Sequence, residues 1–305
     1  MKVKFWGVRG STPCPGPETV RTGGNTSCIE IRFGDREELI IIDAGSGIRL
    51  LGNHLMKTGT CPDNIKIFLS HTHSDHIMGL PFFTPLYIKG YKVDIYGPLT
   101  YEDEGLEKTV SDQFSYRYFP VKHSELSADI SYHPLQQTHL DFDDLKVTTH
   151  YLNHPILTLG YRFEYKGNTV TTVYDTEPFF NLFPEDPEDP GYDQFAAEEG
   201  RAAADDANAE ITGFLAGSDV LIHDSQYTEE EHLAKYKGWG HSSFEWAIRA
   251  AGENGVKNLL FFHHAMERTD KDLEMLIEKY KKIAAEYPGL EVDAAREGKT
   301  LVIRG

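Results

Sequence analysis

The segment His71-Thr72-His73-Ser74-Asp75-His76 constrains this chain more than any other. It follows the aliphatic run Ile65-Lys66-Ile67-Phe68-Leu69-Ser70 and precedes Ile77-Met78-Gly79-Leu80. The pattern predicts a buried strand that stops and delivers four ligand-type side chains onto one short loop. Neutral imidazoles and carboxylates are the donors that borderline divalent metals prefer. Alternate side chains of an extended segment share a face, so His71 and His73 can grip one ion together. Asp75 and His76 lie past the bend, where they can face a second ion. A polar loop that merely happens to be rich in His is the alternative. It fits poorly, because the ligands follow a strand and do not sit in a low-complexity tract.

Two ions need more donors than four side chains supply, and the rest of the chain offers them. His154 follows the strand-like Leu145-Lys146-Val147-Thr148-Thr149, and Asp175 ends the run Thr169-Val170-Thr171-Thr172-Val173-Tyr174. His264 follows Leu259-Leu260-Phe261-Phe262-His263, and of this adjacent pair His263 reads as the weaker candidate. Each would sit at the C-terminal tip of an apolar strand, where loops hold functional groups on a rigid scaffold. Any one alone reads more naturally as a satisfied polar residue; together with the first loop they form a set.

These motifs resemble those of the metallo-β-lactamase-fold hydrolases, and within them the ribonuclease Z-like phosphodiesterase branch. The matches run in order through Ile42-Asp43-Ala44-Gly45, His71 to His76, His154, Tyr174-Asp175-Thr176, His223-Asp224, Gly240-His241-Ser242 and His264, over nearly the whole chain. The resemblance implies that His71, His73 and His154 hold one ion, that Asp75, His76 and His264 hold the other, and that Asp175 bridges them. Ions about 3.5–4 Å apart repel, and a shared carboxylate offsets this. The set of five His and two Asp admits zinc or manganese as the pair of divalent ions. Asp43 would accept a hydrogen bond that fixes a ligand's orientation, or serve only as a strand-end turn residue before Gly45.

Two further elements point to phosphoester chemistry. Ile222-His223-Asp224-Ser225-Gln226-Tyr227 and Gly240-His241-Ser242-Ser243 resemble the pair of motifs with which ribonuclease Z enzymes protonate the leaving group. An alkoxide leaving phosphorus needs a proton, and an imidazole held by a carboxylate can give it. The resemblance thus implies His241 as general acid and Asp224 as its orienting partner, with Asp75 counted among the catalytic residues. The ribonucleases usually carry Glu where Asp224 stands, so a shorter reach is expected here. The same Gly-His-Ser-Ser stretch also reads as a helix start, capped by Ser242 or Ser243.

Charge bears on the substrate. The chain has 305 residues and a formal charge of −18, whereas long nucleic acids are gripped through Lys and Arg that displace counterions. Acidic residues crowd a segment at about residues 178–212, from Glu185-Asp186-Pro187-Glu188-Asp189-Pro190 to Glu198, Glu199, Asp205, Asp206 and Glu210, where Arg201 is the only base. It reads as an acidic insertion with an exposed helix, and no basic, Gly-rich arm of the kind that clamps tRNA is found. A small phosphodiester of the cyclic nucleotide or cyclic dinucleotide class is therefore the expected substrate, and long nucleic acid is disfavoured. Arg9, Arg21, Asn25 and Arg162 stand near motif loops as candidate phosphate or base contacts. RNA 3′-end processing, hydrolysis of a carboxylic ester or thioester, and a non-enzymatic metal-dependent sensor are the alternatives.

The expected architecture is α/β, a single-domain four-layer αββα sandwich over residues 1–305 with the metals at one edge of the two sheets. Phe244 to Ala251 and Leu273 to Ala285 show the apolar recurrence of covering helices. Phe82, Phe83 and Tyr87 are expected in the core. No apolar run is long enough to span a membrane. The chain enters strand-like Val3-Lys4-Phe5-Trp6 at once, so no signal peptide is expected. Cys14, Cys28 and Cys61 are odd in number and widely spaced, which disfavours a disulfide framework and points to the cytoplasm. A homodimer stays open, since relatives in this family often dimerise.

Overall fold

A computed structural model describes residues 1–99 and 105–303. Its strands are β1 (Lys2–Gly7), β2 (Cys28–Arg32), β3 (Leu39–Ile42), β4 (Asn64–Phe68), β5 (Lys92–Pro98), β6 (Asp129–Leu135), β7 (His139–Phe142), β8 (Leu145–Leu152), β9 (Thr158–Tyr165), β10 (Asn168–Val173), β11 (Val220–Asp224), β12 (Asn258–Phe262), β13 (Glu291–Ala294) and β14 (Thr300–Val302). The α-helices are α1 (Gly47–Thr58), α2 (Ser74–Ile77), α3 (Gly105–Ser111), α4 (Gln194–Leu215), α5 (Glu229–Glu231), α6 (Phe244–Glu253) and α7 (Asp270–Ala284). Among the described residues the strands form two seven-stranded sheets, ordered β14-β1-β2-β3-β4-β5-β6 and β13-β12-β11-β10-β9-β8-β7.

Side-chain alternation explains the four layers. Ile40 and Ile42 of β3 point into the core between the sheets, whereas Leu39 and Ile41 join the core beneath the helices with Ile48, Leu51 and Leu55 of α1. The second sheet mirrors this. Leu260 and Phe262 face the inter-sheet core, while Leu259 and Phe261 meet Phe244 of α6 and Tyr280 of α7. Strands buried on both faces read as continuous apolar runs, the signature of parallel strands covered on each side. Accordingly β3 to β6 are mutually parallel, as are β10 to β13. The chain is thus an αββα sandwich, as the sequence predicts.

The helix ends follow local chemistry. Ser243, not Ser242, caps α6, its Oγ accepting from Trp246 N at 3.1 Å. Thr269 and Asp272 form a reciprocal capping box at the start of α7. The acidic segment carries α4, a 22-residue helix whose Asp193 cap accepts from Ala196 N. Phe83 is buried as expected, but Phe82 is 54% exposed. It lies in a short 3₁₀ turn rather than on a strand, with one face against Phe119.

Candidate metal centre and proton donor

Every parallel strand of the two central blocks runs toward the same edge, and its C-terminal end is where the candidate residues gather. This is where loops carry function in sheets of this kind. After β4 the chain leaves the sheet at Leu69 and starts α2 within five residues, so His71, His73, Asp75 and His76 project from one compact turn. His154 follows β8, Asp175 follows β10 and Asp224 ends β11.

Among the described residues the donors form three groups, of which the third, Asp175, Asp224, His241 and His263, overlaps the second. His73 Nδ1 lies 3.0 Å from His71 Nε2 and 3.1 Å from His154 Nε2. Three imidazole nitrogens on one point cannot all be satisfied by protons shared among themselves, whereas one cation takes all three lone pairs. The second group is Asp75, His76, Asp175 and His263. His263 Nε2 is 3.2 Å from Asp75 Oδ2 and 3.2 Å from Asp175 Oδ1, and His76 Nε2 is 3.4 Å from Asp175 Oδ2. Asp175 Oδ2 is also 3.8 Å from His71 Nε2, so this carboxylate spans both groups. Asp175 Oδ1 is buried without a hydrogen-bond partner, an orphaned acceptor that a cation would satisfy. Geometry and donor chemistry therefore fit two divalent ions.

Outer partners fix the rings. Asp43 Oδ2 accepts from His76 Nδ1 at 2.7 Å, and the same carboxylate takes Ser27 Oγ, Ser70 Oγ and Ser70 N. His154 Nδ1 donates to Gly240 O at 2.9 Å. In each case the occupied nitrogen leaves the other lone pair for a metal. Gln226 plays the same part for His263. Its side-chain amide lies 3.4 Å from His263 Nδ1, and its Oε1 has no other partner. With the amide turned to present Oε1, Nδ1–H donates and Nε2 faces the carboxylates.

One expected ligand is placed differently. His264 does not reach the cluster: its Nε2 donates to Ala295 O at 2.9 Å and its ring is buried beside Arg9. Strand β12 ends at Phe262, and His263 takes a left-handed φ of 59° that turns its own ring inward. His264 is held by its backbone instead, donating from N to Val8 O and accepting at O from Gly10 N. The run of apolar residues marks the strand end but does not say which residue of the pair carries the turn.

The electrostatics follow from burial among carboxylates. Burial pushes His71 well below its ordinary value, and burial brings His154 down to about 4. Both stay neutral, as metal ligation requires. Burial opposes the charge on Asp75, yet His76 and His263 hold its carboxyl well below the usual range. Ser11 N also donates to Asp75 Oδ2 at 2.8 Å. His241 stands at the junction of both groups. Its Nδ1 is 2.8 Å from Asp224 Oδ2, so the shorter carboxylate does reach, and its ring centroid is 5.0 Å from that of His263 and 5.5 Å from that of His154. Burial alone would depress its basicity, but Asp224 and Asp175 raise its pKa to about 9.

The four candidate substrate contacts have other partners. Arg9 is fully buried and donates to the carbonyls of Gly23, Ala265 and Arg268. Arg162 donates to Phe214 O, Ala216 O and Ser218 Oγ at the end of α4. Arg21 pairs with Asp270 and Glu274, and Asn25 Nδ2 donates to Glu297 at 3.0 Å. Carbonyls left open at loop and helix ends recruit Arg9 and Arg162, and carboxylates hold Arg21 and Asn25, so nearness in sequence to a motif is not nearness to the site.

The His264 placement predicts a pH effect. Burial, then Arg9, keeps its folded pKa at about 3 against an ordinary 6.5. The unfolded chain takes up the proton first, so stability present above pH 6.5 is lost as pH falls from about 6.5 toward 3. Urea midpoints of the metal-free protein across that window should fall less steeply in His264→Gln than in wild type. Parallel curves would contradict this placement.

Comparison with known proteins agrees with the geometry. Residues 39–182 match the family described as Beta-lactamase superfamily domain. The chain is 27% identical to the ribonuclease Z of Lacticaseibacillus casei strain BL23, over 93% of this chain and 91% of that one. Among solved structures, the metallo-beta-lactamase fold protein YhfI from Bacillus subtilis is similar with a TM-score of 0.66 at 19% identity, covering 98% of both chains. The short form of human tRNase Z gives 0.62 at 20% identity, covering both chains completely.

Proposed function

We propose, from the match of residues 39–182 to the Beta-lactamase superfamily domain, the likeness to ribonuclease Z and the two donor groups, that this metal-dependent hydrolase acts on a small phosphodiester. The observation that carries the reading is His241, held by Asp224 at 2.8 Å beside both donor groups. An ester with a good leaving group needs no such acid; an alkoxide leaving phosphorus does.

His71, His73 and His154 would hold one zinc or manganese ion, and Asp75, His76 and His263 the other, with Asp175 between them. When bound, the two ions would supply charge neutralisation at the phosphoryl oxygens and a nucleophile from water at neutral pH. Asp224 accepts from His241 Nδ1–H, which leaves Nε2 to carry the proton given to the departing oxygen. Asp43, Gly240 O and Gln226 keep His76, His154 and His263 in the tautomers that ligation needs. Asp75 is buried with Ser11 N on one oxygen, so its role is to hold an ion and orient His263 rather than to exchange a proton with substrate. The free thiols Cys14, Cys28 and Cys61 support a reducing compartment, the cytoplasm, for this enzyme.

A small substrate suits the charge. The segment bearing α4 has Arg201 as its one base, and that side chain is paired with Glu185. An open depression of about 410 Å³, lined by Met78, Pro81, Phe82, Asp112, Tyr118 and Phe119, has room for one flat organic group but includes none of the donor residues. RNA 3′-end processing is the second reading, favoured by the likeness to ribonuclease Z over 93% of this chain.

A salt series separates the two. A ligand touching several phosphates loses about a thousandfold or more in affinity between 50 and 200 mM salt, whereas a small diester loses little. KM for a cyclic nucleotide or dinucleotide, and binding of a precursor tRNA, should be measured at fixed metal. Turnover of the small diester with a shallow slope and weak tRNA binding is expected. Tight, steeply salt-dependent tRNA binding with specific 3′ cleavage would replace this reading with the second.

A further inference from the structure

Glu177 is a buried carboxylate with no place in the chemistry above, and its hydrogen bonds lead to both halves of the site. It lies two residues after Asp175 and is 2% exposed. Its Oε1 accepts from His232 Nε2 at 2.9 Å and from Gly238 N at 2.7 Å, and its Oε2 accepts from Gly238 N and Gly240 N, each at 2.9 Å. Its own N donates to Asn153 O at 2.9 Å. One residue thus ties the segment before His154 to the loop before His241.

That loop has little freedom of its own. Gly238 and Gly240 take φ values of 86° and 80°, where side chains are strained. A Cβ on Gly240 would come within 2.3 Å of His154 Nδ1 and 2.6 Å of Pro155 Cδ, so the bare backbone is packed directly on the ring. Gly240 O accepts from His154 Nδ1–H, His241 reaches Asp224, and Ser242 Oγ closes the loop on Thr176 O at 2.7 Å. Remove the carboxylate of Glu177 and Gly240 N becomes a buried donor without a partner, which the loop can relieve only by moving.

We propose that Glu177 is a positioning residue of the hydrolytic site: by fixing Gly238 and Gly240 it sets the ring of His154 on one side and that of His241 on the other. The His241 arm rests on the phosphodiesterase reading; the His154 arm does not. Glu177 thereby couples the seating of one metal ion to the placing of the proton donor.

The test uses Glu177→Gln, which keeps the shape but turns an NH₂ toward amide donors, and Glu177→Asp, which keeps the charge but withdraws it by one methylene. Zinc affinity is read by competition with a chromophoric chelator, and kcat and KM on two diesters that differ in leaving-group pKa. Glu177→Gln is expected to weaken zinc binding at the site of His71, His73 and His154 about tenfold to a hundredfold, the usual size of an outer-partner effect. It should also lower kcat more on the poor leaving group than on the activated one, with KM little changed. Glu177→Asp should show the same pattern in smaller measure, and decides the matter if Glu177→Gln does not fold. Wild-type zinc affinity together with wild-type leaving-group dependence in either folded variant overturns the proposal. If no diester is turned over at all, the phosphodiesterase reading fails, and zinc affinity alone still decides for or against Glu177.

Discussion

Replacing His241 with alanine is expected to slow hydrolysis of diesters with alkoxide leaving groups by about two to four powers of ten while metal content stays unchanged. The side chain lies outside the two groups assigned to the ions; it shares a third donor group with Asp175, Asp224 and His263, but its Nδ1 is engaged by Asp224 Oδ2 at 2.8 Å, so the ions should remain. Activated esters such as bis-p-nitrophenyl phosphate should lose far less, because a nitrophenolate departs without a proton. The sign of the pH dependence follows from the same geometry. Against burial, Asp224 and Asp175 raise the His241 pKa to about 9, so the ring is protonated at neutral pH and able to act as an acid. Activity on poor leaving groups should therefore fall as pH rises through the His241 pKa, and that limb should vanish in His241→Ala. Bound dications would shift the limb toward lower pH without changing its direction. Equal losses on both substrate types would assign His241 to substrate positioning instead.

Much of this arrangement is legible in the sequence because strand alternation and strand ends leave local marks. The run from Ile65 to Ser70 says where β4 stops, and the ligand residues after it say what the turn holds. Asp175 and His154 are found by the same logic. What is not legible is settled by backbone turns and by contacts distant in sequence. Choosing His264 over His263 fails because the left-handed turn at His263, φ 59°, decides which ring enters the site. Glu177 is missed because its partners, Gly238 and Gly240, lie 61 and 63 residues away. The pair of glycines flanking Trp239 was the signal available: a loop needing two left-handed residues is a loop held in one shape. Arg9 misleads in the opposite direction. An arginine near a conspicuous N-terminal motif reads as an anion site, yet Arg9 is buried and its Nε and Nη1 donate to three backbone carbonyls.

The acidic segment shows how composition and structure answer different questions. Ala-rich, charged residues from Gln194 to Leu215 make a helix by propensity, and Ala197, Ala204, Ile211, Phe214 and Leu215 bury one face of it. The rest of its surface adds negative charge, a statement about partners rather than about fold.

Metal stoichiometry tests the account at its centre, the dinuclear site built with His263. Wild-type protein purified without chelator and dialysed against zinc should hold about two ions per chain, with the second lost in His263→Ala and in His76→Ala. His264→Ala should keep both ions and show only lowered stability, since its ring donates to Ala295 O and faces no other candidate ligand. Each protein would be assayed for bound zinc by elemental analysis alongside its rate on bis-p-nitrophenyl phosphate. Two equivalents in wild type and His264→Ala, and one with a collapsed rate in His263→Ala, is the predicted result. A single equivalent in wild type under zinc excess, or loss of an ion in His264→Ala with none lost in His263→Ala, would contradict it.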